Sequence, residues 1–182
     1  DARPPVAGSV ARGTGLEPTK VFSAEYRRTE SINPTFVTGK DERGNYIADF
    51  PAKSLAMLPS GELKPFIIDS KLLELGRTKF QIYCAVCHGQ VADGNGILKA
   101  RSAIEGDVAI NTIANLQSPM YRTYPQGQIF DVITNGKNTM MPYGDKLSPE
   151  ERWAVVAYLR ALQLSQSCPP ELVPASVKAT VK

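Results

Sequence analysis

A single histidine sets the narrowest limit on this chain. Among 182 residues only His88 carries an imidazole, and it closes the run Cys84-Ala85-Val86-Cys87-His88. Two thiols three positions apart can each add to a vinyl group of one haem, and the residue that follows then brings its imidazole to the iron. The lone histidine excludes bis-histidine ligation within the chain. It also excludes a zinc site needing two histidines and a second histidine acting as general base. A thioredoxin-like dithiol would need a βαβ pattern around the motif, and the surrounding sequence has none. A four-ligand zinc site would need more cysteine or histidine nearby, yet only the distant Cys168 remains. With Cys84 and Cys87 taken up in thioethers, Cys168 has no partner within the chain and is read as structurally neutral.

A six-coordinate iron needs a second axial donor. The thioether of methionine is soft and raises the reduction potential relative to imidazole. Four methionines are available: Met57, Met120, Met140 and Met141. Met57 precedes the motif, and Met120 lies in an irregular stretch. Met140 and Met141 stand in Asn138-Thr139-Met140-Met141-Pro142-Tyr143-Gly144, a loop expected between two helices. Met141 is favoured, because Pro142 stiffens the backbone beside it; Met140 is the alternative. Either could instead be a gap-filling core methionine. Arg77, Arg101, Arg122 and Lys137 are candidates for the haem propionates, though each reads equally as surface charge. Gly89, Gly94 and Gly96 form no phosphate-binding signature and are read as close backbone approach to the porphyrin.

Along the chain, residues 1–68 are punctuated by Pro4, Pro5, Pro18, Pro34, Pro51, Pro59 and Pro65 and show no sustained helical period. Proline removes a donor and restricts its predecessor, so long helices are excluded there. Scattered aromatics argue against pure disorder. The spacing predicts an extended arm with turns, such as Arg43-Gly44-Asn45, laid over partner subunits. The compact part is expected over 69–166. Its first helix starts at Asp69-Ser70, with Leu73, Gly76, Phe80 and Tyr83 on one face. Residues 89–122 read as glycine-rich, then irregular. A middle helix follows Pro125, with Ile129, Val132 and Ile133 as its apolar face and Asn135-Gly136 as its stop. Ser148-Pro149-Glu150-Glu151 is a capping box opening the last helix. In that helix, Tyr158 is expected against Gly76 and Phe80, and Trp153 in the core. Residues 167–182 form a tail with no assigned structure.

Twenty-one basic residues against eighteen acidic give a net charge of +3, too balanced for a nucleic-acid partner recognised by bulk charge. No window approaches the ~20 apolar residues of a membrane span. The sequence starts at Asp1 with no signal pattern ahead of it. A removed leader and a missing start both fit, and a lipid anchor preceding Asp1 stays open.

The motif Gly76-x-x-x-Phe80-x-x-x-Cys84-x-x-Cys87-His88-Gly89, the Met141-Pro142 loop and the aromatic-bearing last helix resemble a class I cytochrome c over residues 69–165. That resemblance implies an all-α haem fold whose first and last helices cross, here with a long irregular N-terminal arm. Further stretches resemble the monohaem cytochrome c subunit of bacterial alternative complex III. They are Ala2–Gly13, Phe130–Gly136 and Arg152–Gln163. The narrower resemblance implies a periplasmic position on the inner membrane, beside a multihaem cytochrome and other subunits. It also implies electron transfer from quinol through haem c to a soluble carrier or terminal oxidase. Cys84 and Cys87 would hold the haem, and His88 and Met141 its iron, with no bond-making catalysis in this chain. The rival expectation is a free soluble periplasmic shuttle.

Overall fold

The computed structural model describes residues 33–106, 113–169, 171 and 173. Readings placed on residues 1–32, and on most of the tail beyond 169, lie outside the described residues. Among those described the fold is mostly helical, with one two-stranded sheet. None of its helices is long and apolar enough to cross a membrane. The described residues divide into two compact units: one takes 33–66 with 125–152, the other takes 67–106 and 113–124 with 153–169.

The first unit begins with α1, Pro34–Thr38. Asn33 caps it by accepting from the Phe36 amide at 3.2 Å, and its side-chain amide donates to the Lys53 carbonyl at 2.8 Å. A turn follows at Asp41–Asn45, where the Asp41 carboxylate accepts from the amides of Arg43 and Asn45. Gly44 supplies its positive φ of 82°. Strands β1, Lys53–Met57, and β2, Leu63–Pro65, then pair antiparallel. This small sheet lies within residues 1–68, the segment read as a mostly irregular arm, and leaves the rest of the described fold helical. Pro59-Ser60-Gly61 makes a turn tight enough to pair two short strands whose alternation is too brief to read in sequence.

The helix α6, Gln126–Asn135, packs with this segment. The amides of Gln126 and Gly127, which have no partner inside the helix, donate to the carbonyls of Ala48 and Ile47 at 3.3 and 3.0 Å. A Cβ on Gly127 would overlap the Gly39 backbone, so glycine is required where these chains meet. Tyr46 donates to Asp131 at 3.0 Å, and Lys40 lies 3.5 Å from the same carboxylate. Residues 33–66, read in sequence as arm, thus satisfy much of their backbone on their own chain. Phe36, Val37, Phe130 and Ile133 supply the buried apolar side chains; burying one of that size contributes about 1.5–3 kcal/mol.

The second unit opens with α2, Ser70–Tyr83. Asp69 caps it as expected, accepting from the Leu72 amide at 2.8 Å. Its buried face is Leu72, Gly76 and Phe80. Gly76 lets the helix approach α7, Pro149–Gln166, at backbone distance: a Cβ there would overlap the Ala154 carbonyl and stand 2.9 Å from the Tyr158 Cβ. The rings of Phe80 and Tyr158 are 5.6 Å apart, as the sequence spacing predicts. The capping box forms in full. Ser148 N–H donates to the Glu151 carboxylate at 2.8 Å, and Glu151 N–H donates to the Ser148 hydroxyl at 3.2 Å.

Between these helices lie α3, Ala85–His88, α4, Ile97–Glu105, and α5, Pro119–Arg122. The helix α4 interrupts the stretch expected to be irregular. Glycines bound it at both ends, Gly96 before and Gly106 after, the latter at φ 74°. Its Ile97 and Ile104 are exposed, so no core-facing apolar stripe announced it.

Candidate functional site

Cys84, Cys87 and His88 sit on the single turn in which α2 ends and α3 begins. Cys84 N–H donates to Phe80 at 2.8 Å, which carries the cysteine on the end of the first helix. The amides of Cys87 and His88 both donate back to the Cys84 carbonyl, at 3.1 and 2.8 Å. The two sulfurs are thus one turn apart on a short rigid element, and neither is in a disulfide.

The turn ends at Gly89, φ 79°. Residues 89–96 then fold back and close its open carbonyls. Gly94 N–H donates to His88 at 2.8 Å, and Gly96 N–H donates to Cys87 at 3.0 Å. A Cβ on Gly96 would overlap the carbonyls of Val86 and Cys87. This is the close backbone approach expected of the glycines, though the partner is the motif's own main chain. Asp93 secures the loop by accepting from the Asn95 amide at 3.0 Å and side chain at 2.9 Å. Those bonds hold its carboxyl below the usual range.

His88 is fixed through its ring. Its Nδ1 lies 3.0 Å from the Ala114 carbonyl. A carbonyl only accepts, so the ring proton is on Nδ1 and Nε2 keeps its lone pair. Burial lowers the pKa of His88, against the opposing effect of that bond, and so favours the neutral ring. This is the form and the outer partner of a metal-ligating imidazole. The Ala114 carbonyl was not identified in the sequence, since a backbone acceptor has no residue letter. Its stretch is anchored twice: Leu116 N–H donates to Ala92 at 2.9 Å, and the Leu116 carbonyl accepts from Gln163 at 2.7 Å.

The thiols show the opposite of a redox dithiol's activation. Burial, and next the neighbouring Cys87, push Cys84 up to about 12; burial raises Cys87 as well. A thioredoxin-type site depresses its nucleophilic thiol instead. Among the described residues no cluster of three or more His, Cys, Asp or Glu could hold a bare metal ion. The pair of unlinked thiols and the His88 Nε2 with its lone pair fit a covalent haem.

Met141 belongs to the other unit. Its loop lies against the last turn of α6. Lys137 and Met140 exchange backbone bonds at 3.1 and 2.9 Å, Tyr143 N–H donates to Ile133 at 2.9 Å, and Gly144 N–H donates to Thr134 at 3.1 Å. Gly136, φ 76°, leaves room for this: a Cβ there would overlap the Met140 carbonyl. The backbone is therefore held on both sides of Met141, while its side chain is 72 % exposed. Met140 is half-buried; Met57 and Met120 are exposed. Of the propionate candidates, Arg77 lies 3.7 Å from Glu74 and the Arg122 carbonyl accepts from Arg160 at 3.1 Å. Cys168 is exposed.

Residues 72–159 match the family model described as cytochrome C oxidase, cbb3-type, subunit III. The chain is 32 % identical over 87 residues to a "Cytochrome c6-like" protein of Nostoc sp. (strain PCC 7120 / SAG 25.82 / UTEX 2576). That alignment takes in 46 % of this chain and 65 % of the relative, so it spans somewhat less than two thirds of the relative's length. A solved chain of the reducing HAO-like protein complex of Kuenenia stuttgartiensis is similar at 20 % identity and a TM-score of 0.41, over 56 % of this chain and 51 % of that one. A likeness so slight carries no functional argument. The family match falls on the helices and the turn just described, and over residues 72–159 the chain is similar to cytochrome c proteins, a likeness that goes with a covalently attached haem c at Cys84 and Cys87.

Proposed function

We propose that this chain is a monohaem electron-transfer subunit of a quinol-oxidising membrane complex of the alternative complex III type, working at the periplasmic face of the inner membrane. The likeness to cytochrome c proteins over residues 72–159 supports electron transfer through a haem c. Bound haem c supplies a one-electron couple. Cys84 and Cys87 would tether it, and the His88 Nε2 and the Met141 sulfur would be the donors to its iron. The observation that carries the haem ligation in this reading is the His88 ring, held by Ala114 with Nε2 left as a donor. Met141 adds support, being an exposed thioether on a held backbone, which axial ligation would explain. Filling both axial positions leaves no open site for substrate or gas. Electrons would arrive from a multihaem cytochrome and leave to a soluble carrier or terminal oxidase.

A second reading, a free periplasmic shuttle, draws on residues 33–66. They pack with 125–152 of their own chain and bond to it through main chain. One experiment separates the two. The full chain and a version starting at Asn33 are expressed in the native membrane and co-purified. The subunit reading expects the full chain to bring a multihaem cytochrome with it and the shortened chain to lose it. A full chain that co-purifies with nothing supports the shuttle. Rapid carbon monoxide binding by the native ferrous protein would sink both readings, because it requires an open sixth position.

A further inference from the structure

Arg152 is 1 % exposed, an unusual place for a cation that is never deprotonated. Its guanidinium stacks 4.6 Å from the centre of the Phe130 ring. One nitrogen donates to the Thr134 hydroxyl, and Nε donates to the Ser148 carbonyl at 3.4 Å. Thr134 in turn donates to the Phe130 carbonyl at 2.8 Å. These partners lie at the two roots of one loop. Phe130 and Thr134 are on the last turns of α6, against which the loop lies through Tyr143, Gly144 and Gly136. Ser148 is where the loop ends and α7 begins. One side chain thus ties the take-off of the Met141 loop to its landing. Burying a guanidinium is costly, and leucine or methionine would fill the space without that penalty.

We propose that Arg152 is the positioning residue of the Met141 loop, clamping α6 to the start of α7 so that the thioether is presented in one place. The inference rests on the reading of Met141 as sixth ligand. Arg152 touches neither the sulfur nor the haem in this account and acts through the backbone that carries them.

The test uses the full haem-loaded chain with Arg152→Met and Arg152→Lys, and with Thr134→Val as a milder cut of the same link. In Arg152→Met, the Tyr143 and Gly144 amides are expected to exchange hydrogen roughly 10–100-fold faster, the change in local opening that follows from losing a hydrogen bond made by a charged group. Amides in the middle of α7, such as that of Leu159, should keep their protection. The far-red ferric band of methionine–iron ligation should fade at temperatures where helical circular dichroism is intact. Arg152→Lys should fall between, keeping charge but not the fork or the stack. Thr134→Val should repeat the local pattern more weakly.

Uniformly faster exchange, with the band lost only on global melting, overturns the positioning role and leaves the ligand reading standing. A wild-type protein with no methionine band overturns the ligand reading and the role with it. Failure of all three variants to fold marks Arg152 as a purely structural residue and also overturns the proposal.

Discussion

His88 and Met141 are held in opposite ways. His88 is half-buried and fixed by its own ring, through Nδ1 and the Ala114 carbonyl. Met141 has an exposed side chain and is fixed only by main chain on either side. The difference follows from the side chains. An imidazole has a second nitrogen to spare for orientation, whereas a thioether has no donor and is a weak acceptor. A methionine can be aimed only by its backbone, so the loop around Met141 is rich in main-chain bonds and depends on glycine at 136.

That contrast can be broken from either side, and the largest effect is expected at the helix crossing behind the cysteines. Gly76→Val would drive a branched side chain into the Ala154 carbonyl, and overpacking of this kind should destabilise by about 3 kcal/mol. Chemical denaturation would measure it, together with a lower yield of covalently haem-loaded protein. An unchanged midpoint would mean that α2 and α7 do not meet there.

Gly136→Ala should be milder and confined to the methionine side. It forces a Cβ onto a residue at φ 76° and against Met140, costing about 1–3 kcal/mol. The expected result is full haem attachment with a weakened methionine band. Loss of attachment would show that the two sides are not independently held.

The smallest effect is expected at the segment packed on α6. Tyr46→Phe removes the bond to Asp131, partly exposed, for about 0.5 kcal/mol. Burial, the bond to Asp131 and that carboxylate's charge raise the Tyr46 pKa above 10.0. The folded value exceeds the unfolded one, so the contribution is whole below the ordinary tyrosine range and is lost as pH rises through the raised value. Denaturation midpoints across alkaline pH should converge for wild type and Tyr46→Phe. Parallel curves would mean that the hydroxyl is not linked to stability.

The sequence exposed the features with a residue signature of their own. The haem motif, the capping box at Ser148, the cap at Asp69 and the Gly76–Phe80–Tyr158 packing all follow from side chains at fixed spacing. Other features had no such signature. The Ala114 carbonyl belongs to the backbone. Nothing in the sequence sets Arg152 apart from the other arginines until the fold buries it. The α4 helix exposes its isoleucines and so lacks an inward stripe. The hairpin is too short for alternation to register, and its proline-rich stretch pointed to an arm. The main-chain bonds that hold the loop around Met141 likewise have no residue letter.

The most direct test is the ferric absorption spectrum of the haem-loaded protein alongside Met141→His and Met140→Leu. The account predicts a far-red methionine–iron band in the wild type, its loss in Met141→His and its survival in Met140→Leu. A band that survives in Met141→His, or that is absent from the wild type, would contradict it.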